Sequence, residues 1–140
     1  MSEPSKKTPG SKQREFYDKR KYPRIEQDGE VVLILPDKQK LITRMFDISP
    51  DGIQTRFDRD TARAIKPVVE NILKKMSGDL HIIFTLSITS KEMKHDAYCR
   101  PIYIHRIDSG LYAMGMQFTR LEKESRKVLK KFIEISMEPL

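Results

Sequence analysis

The sequence predicts a mainly β domain, a six-stranded antiparallel barrel with one internal helix and a C-terminal amphipathic helix. Three observations predict it. Short runs of β-branched and bulky residues alternate with polar ones at a period of two and are bounded by turn residues. Only two segments change to helical spacing. At 140 residues the chain suits one core of modest size, and a closed barrel buries one face of every strand without leaving open sheet edges.

Residues 1 to about 18 are rich in Ser, Lys, Pro and Gly and almost without aliphatics, so they cannot offset their own ordering entropy and are expected to form a flexible tail. "EVVLIL" reads as the first strand, and "PDKQK" ends it with turn chemistry. Leu41, Thr43 and Met45 then alternate with Ile42, Arg44, Phe46 and Ile48 in a second strand, which "SPDG" breaks. Ile53, Thr55 and Phe57 alternate with Gln54 and Arg56 in a third. Ile65, Val68, Val69, Ile72, Leu73 and Met76 share one helical face, which predicts a helix near 61–76. Pro67 places the start of its regular part near Lys66 or kinks it, and Gly78 closes it. The clearest strand is "DLHIIFTLSIT", with Leu80, Ile82, Phe84, Leu86 and Ile88 on one side. A polar turn around "SKEMKHD" is expected next, then a strand "AYCRPIYIHRI" whose Pro101 implies an edge position or a bulge. After "DSG" comes "LYAMGMQF", with Tyr112, Met114, Met116 and Phe118 facing one way. The last element, about 121–136, carries Leu121, Val128, Leu129, Phe132 and Ile133 on one face, and Thr119 with Glu122 fits a capping box at its start.

The charge of +7, from 27 Lys and Arg against 20 Asp and Glu, favours an anionic partner without choosing among nucleic acid, nucleotide, phospholipid or acidic protein. A single cysteine, Cys99, excludes an internal disulfide framework and suits a reducing compartment. No stretch is apolar enough to span a bilayer and the N-terminus lacks the apolar centre of a secretory signal, so a soluble cytoplasmic protein without membrane insertion is expected. His95, Cys99 and His105 match no compact zinc spacing and read as solvated turn and strand residues, so no metal is expected. Neither a Ser/His/Asp set, a glycine-rich phosphate loop nor a Cys-x-x-Cys pair occurs, which points away from an enzyme.

Two short pieces carry chemistry. In "DKRKYPRIEQ", Arg20 and Arg24 stand four residues apart, flanked by Lys19 and Lys21. In "FDISPDGIQ", Asp47 and Ser49 can present acceptors and a donor in line, while Gly52 can adopt φ > 0 and let a ligand approach the backbone. Either piece alone reads as a solvated charge cluster or an Asx/Ser turn. Their order, Arg-x-x-x-Arg followed by Asp-x-Ser-x-x-Gly, resembles the PilZ domain family, bacterial receptors for cyclic di-GMP. "AMGMQF" with the helix after it is similar to the end of that family's barrel. The resemblance runs from about Lys19 to Phe132 and implies a PilZ domain over 19–140: an arginine arm at 19–24, a barrel over about 25–119 and a terminal helix. It implies cyclic di-GMP as regulatory ligand, held by Arg20, Arg24, Asp47, Ser49 and Gly52, with Lys19 and Lys21 as weaker contributors. Guanidinium forks suit phosphate and the guanine N7/O6 edge, and a carboxylate suits the guanine N–H donors.

Three other readings compete. "DISPDGIQTRFD" places Asp47, Ser49, Asp51, Gly52, Thr55 and Asp58 as in a calcium-binding EF-hand loop over 47–58, with "KLITRMF" as its entering helix. A nucleic-acid-binding barrel would use Phe16, Tyr17 and Tyr22 for stacking, and ranks below the nucleotide pocket. An interaction module would use the helix at 61–76 or the terminal helix to bind a downstream protein effector or a second copy of the chain; arm closure on ligand links this last reading to the receptor.

Overall fold

The computed structural model describes residues 24–137 of the chain, so the tail, Lys19, Arg20, Lys21 and the aromatics Phe16, Tyr17 and Tyr22 lie outside the described residues. The strands are β1 (Ile25–Glu26), β2 (Glu30–Ile34), β3 (Lys40–Ile48), β4 (Gly52–Phe57), β5 (Leu80–Ile88), β6 (Lys91–Asp108) and β7 (Leu111–Leu121); the helices are α1 (Arg59–Lys75) and α2 (Lys123–Ser136). All pairings are antiparallel, in the order β1-β3-β2-β5-β6-β7-β4, and β4 pairs back onto β3. Strands β2 to β7 therefore form the expected six-stranded closed barrel, and the two-residue β1 pairs with the end of β3.

Alternation fills the barrel. Val31, Leu33, Met45, Ile53, Leu80, Ile82, Phe84, Leu86 and Met114 are buried inside it. One helix adds Ala62, Ile65, Val69 and Ile72 to the core, and the other adds Leu129, Phe132 and Ile133. Among the described residues no helix is long and apolar enough to cross a membrane.

Several local expectations are corrected. Segment 40–48 is a strand and 52–57 is the next one, so neither an entering helix nor a calcium loop exists at 47–58. Asp58 instead caps α1: its carboxylate accepts from the Thr61 amide at 2.9 Å, a bond that holds the Asp58 carboxyl below its usual range. The helix thus begins at Arg59, with Pro67 inside it, and it ends on Met76 in the left-handed region rather than on Gly78. The hairpin joining β5 to β6 turns on Thr89 and Ser90 alone, both at positive φ, so "KEMKHD" is strand. Pro101 lies beside a register shift, the bulge its missing N–H requires. The capping box does not form: Thr119 belongs to β7 and its hydroxyl donates to the Tyr98 carbonyl, while Glu122 precedes α2 without a side-chain cap.

His95 and Cys99 are buried, not solvated. His95 Nδ1 lies 2.8 Å from Ser125 Oγ, which ties α2 to β6, and burial pushes its pKa down. Burial first, and the Asp79 carboxylate second, push the Cys99 thiol up to about 12. Among the described residues no cluster of His, Cys, Asp and Glu is arranged to hold a metal ion.

Candidate functional site

The site grows from a bulge in β3. Met45 pairs with Thr55 but Asp47 pairs with Gln54, so Phe46 is an extra residue, lying under the Arg56 guanidinium at 3.4 Å from its ring centre. The extra residue reverses the alternation beyond it. Ile48, which alternation grouped with Ile42 and Arg44, is fully buried while those two are exposed, and Asp47 lies on the same side as Gln54.

The turn after β3 is held by its own side chain. Ser49 Oγ accepts from the amides of Asp51 and Gly52, each at 3.2 Å, and the Ser49 amide donates to the Gly52 carbonyl at 2.9 Å. The Asp51 carbonyl accepts from Phe118 N–H at 2.7 Å, which pins the turn to β7. Gly52 is not at positive φ, contrary to expectation. Its side chain is missing because a Cβ there would collide with the backbone carbonyl of Met116 as β4 pairs with β7.

Beside this turn lies a cleft of about 280 Å³, lined by Arg24, Ser49, Asp51, Gly52, Ile102, Tyr103, Gly115, Met116 and Gln117. Arg24, Ser49 and Gly52 are thus brought together from the two sequence motifs. Asp47 is buried behind them and does not line the cleft; its carboxylate stands 3.6 Å from an Arg24 nitrogen. Tyr103 and its neighbours escaped the sequence reading. Tyr103 lies flat over Gly115, where any Cβ would strike its ring, and its hydroxyl accepts from Gln54 Nε2 at 2.7 Å. His105 stacks on the Tyr103 ring at 5.1 Å between centroids. "AMGMQF" signalled the glycine, but nothing local to "RPIYIH" marked Tyr103 or Ile102 as its partners across the strands.

The cleft therefore offers a guanidinium at its rim, a backbone floor that two glycines keep low, an aromatic ring, and the amide of Gln117. Such a surface suits a flat, polar, anionic molecule. The family model for the PilZ domain matches residues 18–134. The chain belongs to the PilZ domain family. No curated protein matches it in sequence. Among solved structures, the Bacillus subtilis inhibitor of motility MotI/DgrA aligns with a TM-score of 0.62 at 14% identity, over 85% of this chain and 52% of that one. The K. pneumonia MrkH–c-di-GMP complex aligns at 0.55 and 15% identity, over 83% and 51%. The PilZ domain of YcgR from Escherichia coli, solved with c-di-GMP, aligns at 0.50 and 16% identity, over 84% and 90%. At these identities the likeness is one of fold. The PilZ chain spans about half the length of MotI and of MrkH.

Proposed function

We propose that this PilZ domain is a receptor for cyclic di-GMP rather than an enzyme, and that Arg20, Arg24, Asp47, Ser49 and Gly52 form its ligand site, with Lys19 and Lys21 adding positive field. The observation that carries this reading is the shared cleft of Arg24, Ser49 and Gly52, two separate motifs converging on one floor. Fold neighbours solved with c-di-GMP, MrkH and YcgR among them, support the choice of ligand.

Each residue has a chemical task. Arg24 supplies forked N–H donors to a phosphodiester oxygen or to the guanine N7/O6 edge, and its guanidinium plane can stack on the base. Asp47 keeps that guanidinium oriented from 3.6 Å behind it and is an acceptor for guanine N–H groups once the arginine moves. Ser49 holds the turn, so its part is to fix the backbone that faces the ligand. Gly52 keeps the floor flat and the turn joined to β7. Tyr103 and Ile102 give the base an apolar wall. Segment 19–24 closes over the bound nucleotide, and the altered surface is what a downstream protein effector reads. Amide exchange over residues 10–26, with and without ligand, tests the closure; unchanged protection refutes it.

Removing a fork leaves anionic oxygens facing a desolvated cleft, a loss of about 2–5 kcal/mol, or roughly thirtyfold to several thousandfold in affinity. Calorimetric titration with cyclic di-GMP is expected to give micromolar binding in the wild-type protein and none measurable in Arg20→Ala or Arg24→Ala. Undiminished heats in both variants would refute the assignment.

A further inference from the structure

A second cleft lies nearer the β6–β7 turn, beside the first two turns of α1. It encloses about 260 Å³ and is lined by Arg59, Ala62, Arg63, Lys66, Arg106 and Tyr112. Arg59, Arg63 and Lys66 fall on one face of α1 at spacings of four and three. Arg106 reaches the cleft from β6 and Tyr112 from β7, paired across the strands. The nearest lining residues of the two clefts, Gly115 and Tyr112 on β7, are three residues apart, roughly 10 Å at the usual rise, and no residue lines both.

Charge is what sets it apart. Four cationic side chains line one small cleft with no carboxylate among the lining residues. Arg63, Lys66 and Arg106 make no ion pair among the described residues. Arg59 is held in place by its bond to the Ser109 carbonyl at 2.8 Å, so one guanidinium is already fixed for a ligand. The N-terminus of α1 is occupied by Asp58, which leaves the side chains rather than the helix dipole to supply the attraction. Like charges this close repel, and an anion with several charges relieves that repulsion. Three of the four are arginines, whose planar forks match phosphate oxygens two at a time.

We propose that this cleft is a second ligand site, for a molecule carrying two adjacent phosphate groups. Tyr112, half-buried at its wall, provides a ring and a hydroxyl beside the phosphates. The source of the diphosphate is either inorganic pyrophosphate or a nucleoside diphosphate, and titration separates them: GDP tighter than pyrophosphate assigns a nucleotide whose base uses Tyr112, and equal affinity assigns the diphosphate alone. Both outcomes support the site.

The test is calorimetry at low ionic strength with pyrophosphate and with GDP, on the whole chain. The double variant Arg63→Gln/Arg106→Gln removes two exposed side chains that hold no hydrogen bond or ion pair among the described residues, and is expected to weaken both ligands roughly tenfold or more without lowering the melting temperature or changing cyclic di-GMP binding. Arg24→Gln, in the first cleft, is expected to leave pyrophosphate binding intact. Lys91→Gln/Lys94→Gln, at the far end of β6, removes the same formal charge and is expected to have little effect. The proposal is overturned if neither ligand binds the wild-type protein, if Arg24→Gln abolishes binding, or if the lysine pair weakens it as much as the arginine pair does.

Discussion

Replacing Gly52 by alanine separates a packing role from a ligand-contact role. The added Cβ would run into the Met116 carbonyl oxygen and stand 3.1 Å from Gln117 Cα, so everything it meets is backbone and no side chain can rotate away. Strand β4 must then withdraw from β7 at its first pair, Gly52 with Gln117. That movement strains the Phe118 to Asp51 bond of 2.7 Å and the Ser49 to Gly52 bond of 2.9 Å. Two backbone bonds at about 1 kcal/mol each, with some lost packing, give an expected destabilisation of about 2–3 kcal/mol. For a domain of this size that is roughly 6–15 °C in melting temperature, measured by circular dichroism. Gly110, with nothing within 4 Å of its would-be Cβ, is the control, and its alanine variant is expected to stay within about 0.5 kcal/mol of wild type. If Gly52→Ala melts together with Gly110→Ala, the close approach of β4 to β7 is not what demands the glycine.

Two further outcomes follow from strain and burial. The β5–β6 turn holds Thr89 at φ 50° and Ser90 at φ 67°, so Thr89→Asn/Ser90→Gly is expected to raise stability by about 1–2 kcal/mol in urea unfolding; an unchanged or lower midpoint refutes the turn assignment. His95 is buried and neutral in the folded protein with its pKa pushed below the ordinary 6.5, so the unfolded chain takes up the proton first as pH falls. Its contribution is therefore complete above about pH 6.5 and declines as acidity increases toward the folded-state value. Melting temperatures at pH 7.5 and 5.5 are expected to differ less in His95→Gln than in wild type, and equal differences would assign the acid sensitivity elsewhere.

The barrel was legible because most of its strands carry one buried face. Leu80, Ile82, Phe84 and Leu86 show this directly. Where alternation failed as a guide, a local cause can be named. Residues 91–94 are all exposed even though Leu86, paired with Met93, is buried, so their polarity looked like a loop. Pro67 suggested a late helix start, yet its exposed position within α1 lets the Asp58 cap set the start two turns earlier. Thr119 and Glu122 had capping spacing, but pairing with β6 carried β7 on to Leu121. In the cleft, Arg24, Ser49 and Gly52 were visible as motif residues, whereas Tyr103 and Gln117 are contributed by strands that only barrel closure brings near them. No periodicity encodes a neighbour fifty residues away.

The turn at 49–51 joins β3 to β4, and the pairing of those two strands is what shuts the sheet into a ring. It works as the clasp of a bracelet. Without it β4 would pair only with β7 and would form an open edge of the sheet. A ligand held there, as proposed above, would sit on the seam of the ring rather than on its side wall.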